Sequence, residues 1–485
     1  MRITVVGTGY VGLVTSVCLA HIGHEVIGLD VDEAKIACLQ AGDLPIYEGG
    51  LEPLMREQMR VGRLRFEHDY AQAIPDAEAI FICVGTPALP DGSADTRAVQ
   101  AAAEAIGAHL GPGYTVIVNK STVPVGSGDW VGMLVREGAG RATGCRTRSA
   151  AGVTAAVAAA ARWSEAERPS SEVAPRFAVV ANPEFLREGS ALRDALHPDR
   201  IVIGADDEDA VAVMRHIYAR LIEQRFRPVF SDVDPPDGVE TSSPPVPFVV
   251  TDRTSAELIK YAANAFLATK ISFVNEIANI CERVGADVRE VARGIGLDRR
   301  IGASFLSAGI GWGGSCFPKD LASLVQIARD YGHECRLLEA ARAVNQEQRL
   351  VVVRKLQERL KVLKGKTVAL WGLAFKPGTD DIRDAPALAI ARRLVDLSVR
   401  VVAYDPVAGD AFQAQVPEVR IARDPYAAAE EADAVVLVTE WPEFAGIDWR
   451  RLRSLMRRPL IVDGRNFLDD AALLWHGFEY CGIGR

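Results

Sequence analysis

ITVVGTGYVGLVTSVCLAHIGHEVIGLD, residues 3–30, decides how the chain folds. Ile3–Val6 is a β-branched run, which is expected as a buried strand. Gly7-Thr8-Gly9-Tyr10-Val11-Gly12 is a GxGxxG turn, an apolar helix pattern runs from Leu13 to about Ile22, and His24–Asp30 is a second strand ending in an acid. Each glycine has a task. Gly7 makes the tight turn, Gly9 lets backbone approach a pyrophosphate, and Gly12 lets helix pack on strand. The amides of the helix start then face the phosphates. Asp30 can accept from ribose hydroxyls and would repel a 2′-phosphate, which selects NAD over NADP. A lone GxGxxG is weak evidence, but strand, turn, helix and acid in this order favour a dinucleotide site.

The βα pattern continues. Ala79–Val84 reads as a strand before Gly85-Thr86-Pro87, and Thr115–Asn119 as one before Lys120-Ser121-Thr122-Val123-Pro124. Ligands gather at the carboxyl ends of parallel strands, where Thr86, Ser121 and Thr122 fall. Ser, Thr and Pro also serve as plain turn residues. Phe177–Ala181 is a further strand, followed by NPEFLREGS at 182–190. Glu184 and Glu188 would share a face if this turn is helical. An exposed acidic helix start is the favoured local reading. Residues 137–175, with a short helix expected at 155–163, and residues 231–247 are irregular inserts rich in Ser, Arg, Pro or Asp, from which no chemistry is expected.

Arg253–Val284 lacks Gly and Pro, and its apolar positions recur at helical spacing, so it is expected as one long central helix. Lys260 and Asn264 share one face of it, either as a solvated stripe or pointing into a site. A helix this long also suits a homodimer interface. Further on, GIGWGGSCFPKD at 309–320 sets Cys316 among four glycines, with Lys319 and Asp320 close behind. A thiolate attacks carbonyl carbons and is favoured by nearby positive charge, for which Lys319 is the candidate. Asp320 is a candidate for handling a proton or a water. A buried, inert cysteine beside a turn is the alternative.

From Lys366 a second α/β unit begins, with strands at Thr367–Gly372, Arg400–Asp405, Ala434–Thr439 and Leu460–Asp463 and a helix at Ala385–Leu397. Its first loop lacks a GxGxxG, so no second dinucleotide is expected. Lys376, Arg383 and Arg465 are cations at strand ends, which suit phosphate.

The 485 residues allow about three domains. A net charge of −9 argues against a nucleic-acid surface. Eight scattered cysteines without a CxxC pair form neither a disulfide framework nor a zinc site, which fits a reducing, cytoplasmic compartment and no metal. The glycines at 7, 9 and 12 argue against a signal peptide, and no stretch approaches a membrane span.

These motifs resemble the UDP-glucose/GDP-mannose dehydrogenase family. The matching stretches are VGTGYVGL (6–13), VGTP (84–87), KSTVP (120–124), NPEFLREGSA (182–191), ELIKYAANAFLATKISFVNEIA (257–278), RIGASFLSAGIGWGGSCFPKD (300–320), GLAFKPGTDDIRDAP (372–386) and DGRN (463–466). The resemblance implies an α/β chain of two Rossmann-like doubly wound domains joined by a helical middle domain with a long central helix. The expected divisions are an NAD-binding domain at 1–205, a helical dimerisation domain at 206–345 and a UDP-sugar-binding domain at 346–485.

The resemblance further implies four-electron oxidation of UDP-glucose to UDP-glucuronate with two NAD. Cys316 would form a thiohemiacetal and then a thioester, which water cleaves. Cys316 matches the nucleophile, and Asp320 with Thr122 the pair that holds a water. Glu184 matches the acid of thioester hydrolysis, and Lys260 with Asn264 the oxyanion stabilisers. Gly7, Gly9, Tyr10, Val11, Gly12, Asp30, Lys35, Thr86, Ser121, Thr122, Glu188, Lys319 and Arg383 fall on the cofactor side. Phe185, Leu186, Phe305, Gly313, Lys376 and Arg465 join Glu184, Lys260 and Asn264 on the substrate side, and Arg300 matches an arginine offered across a dimer interface. The run at 300–320 resembles the UDP-glucose branch more than branches acting on GDP-mannose or UDP-N-acetylhexosamines. The intact set of polar residues argues against an inactive scaffold. The inserts at 137–175 and 231–247 depart from the family pattern.

Overall fold

The computed structural model describes residues 1–142, 176–229 and 245–485. The short helix expected at 155–163 and most of the second insert lie outside the described residues. Contacts divide the chain into two compact units, Met1–Tyr261 and Ala262–Arg485.

The first unit is built on an eight-stranded sheet ordered β3-β2-β1-β4-β5-β6-β7-β8. Its strands are β1 (Arg2–Val6), β2 (Glu25–Leu29), β3 (Leu64–Glu67), β4 (Ala79–Ile82), β5 (Tyr114–Asn119), β6 (Arg176–Ala181), β7 (Ile201–Gly204) and β8 (Phe248–Thr251). Every pairing is parallel except β6 with β7. The first six strands follow the order of a dinucleotide-binding sheet, whose ligand crevice lies between β1 and β4. β4 reads AIFI and is buried at every position, as a strand covered by helices on both faces must be. β3, β7 and β8 were not expected from sequence. They are four-residue strands: β7 (IVIG) and β8 (FVVT) are apolar, β-branched runs, and β3 (LRFE) alternates buried with more exposed positions.

One expectation is corrected here. Residues 182–187 are irregular rather than helical, so Glu184 and Glu188 share no helical face. Glu184 is not part of an exposed acidic helix start either, because it is buried.

Two helices on one face of the sheet, Arg97–His109 and Ser127–Ala142, meet through glycines. A Cβ on Gly107 would lie 2.0 Å from the Val135 carbonyl oxygen, and one on Gly138 would lie 2.1 Å from that of Glu104. Backbone thus rests on backbone.

The second unit carries a six-stranded, wholly parallel sheet ordered β11-β10-β9-β12-β13-β14. Its strands are β9 (Thr367–Trp371), β10 (Arg400–Tyr404), β11 (Arg420–Ile421), β12 (Ala434–Leu437), β13 (Leu460–Asp463) and β14 (Glu479–Cys481). Renumbered from its own first strand, this is the order of the first six strands of the other sheet. The expected helix runs unbroken over Arg253–Val284. Within the second unit its Val274, Ala278 and Cys281 join the main core, while Ala265 and Ala268 pack against Trp312 and Leu321.

Gly138→Ala is expected to lower stability by ~1–3 kcal/mol, because the added methyl has no room without moving a helix. Urea unfolding checks it, and an unchanged midpoint would contradict the glycine contact.

Candidate active site

The turn after β1 matches its expected task. Gly7 has φ +95°, a conformation that favours glycine, and its amide donates to the Leu29 carbonyl at 2.7 Å. A Cβ on Gly12 would sit 1.8 Å from the Gly7 carbonyl oxygen. Nothing lies within 4 Å of a Cβ built on Gly9, which caps the helix Tyr10–His21. There is open space beside exposed amides, where a pyrophosphate fits.

Asp30 follows β2 and is ionised. Burial alone would raise its pKa, but the Thr8 amide, the Lys35 ammonium, the Asp32 amide and the Thr8 hydroxyl outweigh burial and hold it below the usual range. Its Oδ2 accepts from the Thr8 amide at 2.8 Å and from Lys35 Nζ at 3.0 Å. A carboxylate kept charged here is what ribose hydroxyls need. Thr86 and Ser121 stand at the ends of β4 and β5. Thr86 donates to the Thr122 carbonyl at 2.7 Å and Ser121 to the Val84 carbonyl at 2.8 Å, so their hydroxyls brace the loops. The residues present therefore fit NAD.

The NPEFLREGS loop docks on that turn through a residue that sequence reasoning missed. Glu48 is buried, bonds to the Tyr10 hydroxyl, and accepts from the Gly189 amide at 2.7 Å and the Leu192 amide at 3.2 Å. Its neighbours in sequence, Tyr47-Glu48-Gly49-Gly50, give no chemical hint of the role.

Glu184 and Lys260 form a buried ion pair in the first unit. Lys260 Nζ donates to Glu184 Oε1 at 2.7 Å, and the side chains are 5% and 6% exposed. The Leu186 amide donates to the other carboxylate oxygen at 2.6 Å. Burial pushes the Glu184 carboxyl up, but Lys260, the Leu186 amide and Lys120 bring it below the usual range. Lys260 is thus not part of a solvated stripe. It shares the wall of a small cavity with Lys120, Thr122, Pro183 and Glu257.

Glu257, one turn before Lys260, was also missed. It accepts from the Gly126 amide at 2.6 Å and the Gly128 amide at 3.0 Å, and Tyr261 donates to the Val123 carbonyl at 2.9 Å. The helix face that carries Lys260 thereby grips the loop that carries Thr122.

In the second unit the glycine loop sets Cys316. Gly314 has φ +86°, and a Cβ there would press into the Phe375 ring at 2.8 Å. A Cβ on Gly313 would meet the Asp384 carbonyl at 2.3 Å. Three amide side chains hold the loop. Asn275 accepts from the Gly309 amide and Asn345 from the Trp312 amide, both at 2.8 Å, and Gln348 donates to the Gly309 carbonyl at 2.8 Å. These too were missed, since amides on helices look like ordinary polar positions.

Cys316 is half-buried at the N-cap of the helix Phe317–Asp330, with Ser315 Oγ 3.6 Å from its sulfur. Asp320 is buried, its amide donating to the Cys316 carbonyl at 2.8 Å. Its carboxylate accepts from Asn264 at 2.6 Å and from Lys319 at 2.7 Å. The Lys319 charge is therefore engaged by Asp320.

Among the substrate-side candidates, Arg465 donates to the Gly311 carbonyl at 3.0 Å and braces the loop. Lys376 Nζ stands 5.5 Å from the centre of the Phe375 ring. Phe305 has φ +64°, an uncommon conformation for a bulky residue. Arg383 and Arg300 are exposed and paired with Asp381 and Asp298. Among the described residues no group of His, Cys, Asp or Glu is gathered to hold a metal.

Three family models match the chain. They are the UDP-glucose/GDP-mannose dehydrogenase family NAD binding domain over residues 1–222, its central domain over 254–347 and its UDP binding domain over 369–470. A UDP-glucose 6-dehydrogenase of Rhizobium meliloti is 45% identical, with all of both chains covered. That of Pseudomonas aeruginosa is 43% identical over all of this chain and 98% of the relative. A UDP-glucose dehydrogenase structure from Pyrobaculum islandicum superposes with TM-score 0.82 at 37% identity, covering 100% of this chain and 97% of that one. A UDP-D-ManNAc dehydrogenase structure from Pyrococcus horikoshii superposes with TM-score 0.77 at 25% identity, covering 100% and 99%.

The Glu257 carboxyl predicts a pH effect on stability. Burial is the main cause that raises its pKa from 4.5 to about 7, against the pull of the two glycine amides and Arg253 and with Asp129 adding to the rise. A raised carboxyl binds more protons folded than unfolded, so its stabilising share is present below about pH 4.5 and falls as pH rises towards 7. Relative to wild type, Glu257→Gln should therefore gain ~2–3 kcal/mol between pH 5 and 8. Thermal melts at both values check this, and a gap independent of pH would contradict it.

Proposed function

The chain belongs to the UDP-glucose/GDP-mannose dehydrogenase family, and we propose that within it the protein oxidises UDP-glucose to UDP-glucuronate with NAD. The observation that carries this reading is full-length identity of 43–45% to proteins named UDP-glucose 6-dehydrogenase, against 25% to a UDP-D-ManNAc dehydrogenase. A three-part division at 205 and 345 goes with it; three family models also divide the chain in three, with the NAD binding domain model running past 205 to residue 222 and the central model ending at 347.

NAD, when bound, supplies a hydride acceptor for each of the two oxidations. The chain's own residues do the rest. The carbon-6 alcohol loses a hydride and a proton, with the proton passing to a water held by Asp320 and Thr122. The Cys316 sulfur then bonds to the aldehyde carbon, giving a thiohemiacetal that again carries a transferable hydride. Loss of that hydride leaves a thioester. Water adds to it, Glu184 takes one of its protons, and the carbon–sulfur bond breaks to give the acid and the Cys316 thiolate. Lys260 and Asn264 are donors for the oxyanion that forms at each stage. Lys376, Arg465 and Phe305 are assigned to the UDP-sugar.

The homodimer belongs to the same proposal. Phe266, Phe273 and Ile280 recur every seventh residue on the long helix and are 69%, 49% and 50% exposed, an apolar stripe suited to a second copy of the same helix. Arg300 is then offered to the partner copy. None of the seven described cysteines forms a disulfide, which supports a reducing, cytoplasmic setting. Among the described residues no helix is long and apolar enough to cross a membrane.

Two NADH per UDP-glucose consumed are expected, read by absorbance beside a panel of other sugar nucleotides. One NADH per sugar, or faster turnover of GDP-mannose, would reject the reading. Cys316→Ser should abolish net acid formation. Phe266→Glu with Phe273→Glu should leave monomer in sedimentation at micromolar concentration, whereas an unchanged dimer would move the interface elsewhere.

A further inference from the structure

Lys120 has no role in the chemistry above, yet its ammonium lies beside the residues that do. It follows β5 directly, and its Nζ donates to Asn182 Oδ1 at 3.3 Å. Asn182 is itself fixed, because the Tyr218 hydroxyl donates to the same oxygen at 2.5 Å and Nδ2 donates to the Val202 carbonyl at 2.8 Å. Lys120 and Lys260 wall the same small cavity.

Lys260 pairs directly with Glu184, while Lys120, bonded to Asn182 two residues before it, acts on that carboxylate through its charge without a second ion pair. The charge of Lys120 helps hold Glu184 ionised, while burial, with a smaller push from Lys260, brings the Lys120 ammonium below the usual lysine range and Cys83 and Glu184 only partly oppose it. The other titratable groups around them are Cys83 and Tyr218, both pushed up by burial and neutral, and Glu257 across the cavity.

One lysine is enough to neutralise Glu184. A second has a use if the first changes partner. We propose that Lys120 is a positioning residue that keeps Glu184 ionised while Lys260 turns from it to the substrate oxyanion. This rests on the reading under Proposed function and concerns its last step. Water adds to the thioester carbon, one of its protons goes to Glu184, and the carbonyl electron pair moves onto oxygen, which Lys260 stabilises. The intermediate then expels the Cys316 thiolate and leaves the carboxylic acid. Glu184 can take that proton only as a carboxylate. Without Lys260 beside it, burial drives it towards the protonated form. The charge of Lys120 opposes this without touching the sugar.

The test compares Lys120→Gln, which keeps a donor and removes the charge, Lys120→Met, which removes both, and Lys120→Arg, which keeps the charge. Rates of NADH formation are followed against pH with UDP-glucose. In the Gln and Met variants the acid limb of kcat should move up by about one pH unit or more, the size of effect a nearby opposite charge has on a carboxyl. At pH values below the limb the steady rate should fall about tenfold per unit moved, and on the plateau above it the rate should stay close to wild type. The first-turnover burst of NADH should persist, with a sugar–enzyme adduct accumulating in intact mass spectra. Lys120→Arg should return the limb to its wild-type position. A uniform loss of rate with an unmoved limb, or an equal shift in the Arg variant, would overturn the proposal and leave Lys120 a packing residue. Melting temperatures identify any variant that fails to fold, and either neutral variant alone suffices. Wild-type protein that makes no NADH from UDP-glucose would instead sink the functional reading beneath the proposal.

Discussion

The buried pair of Lys260 with Glu184 is the interaction on which the first unit's site depends. Removing two charges from water is costly, and the cost is offset only when each meets the other with good geometry and its remaining bonds are filled. Here the Leu186 amide fills one carboxylate position and Lys260 another. An irregular loop, which has no ladder to hold it, is thereby fixed to a helix. The same helix face reaches the loop of Thr122 through Glu257 and Tyr261. Three residues within two turns of one helix organise two strand-end loops.

The two sheets share an order but part company at their second strand. Each such strand is followed by an aspartate. Asp30 accepts from Thr8, Asp32 and Lys35, donors that hold it charged at the mouth of an open glycine turn. Asp405 instead accepts from the amides of Leu373, Ala374, Val407 and Ala408 and from the Trp441 indole. It is buried and consumed in holding its own loops, so it has nothing left for a ribose. The missing GxGxxG in the second unit and the occupied acid are two views of the same loss.

Much of this was legible in the sequence because it rests on local rules. A β-branched run, a glycine turn and an acid name a dinucleotide fold with little help from distant residues. The long helix could be read from its spacing and its lack of Gly and Pro. What escaped depends on contacts far apart in the chain. Glu48 is 141 residues from the Gly189 amide it receives, and Glu257 is 131 from Gly126. Burial also inverted local expectation. Glu184 looked like an exposed helix start and Lys260 like a solvated stripe, and only tertiary packing shows that each is the reason the other is inside. The short strands β7 and β8 carry the β-branched residues a strand needs, but four residues are too few for periodicity to separate them from a buried turn of helix.

In each unit the polar groups assigned to the proposed reaction are satisfied by one another. Lys260 is held by Glu184, while Asn264 and Lys319 are held by Asp320. A substrate oxygen that recruits any of these donors must displace a carboxylate that already binds it. Exchange of a short charged hydrogen bond for one to a neutral hydroxyl is unfavourable, whereas exchange for one to an oxyanion is near balance. Donors held in this way discriminate against the ground state and in favour of the charge that develops later, and differential stabilisation of that kind is what accelerates a reaction. In the proposed reaction the internal pairing would thus be part of the catalytic device, provided the carboxylate left behind remains charged.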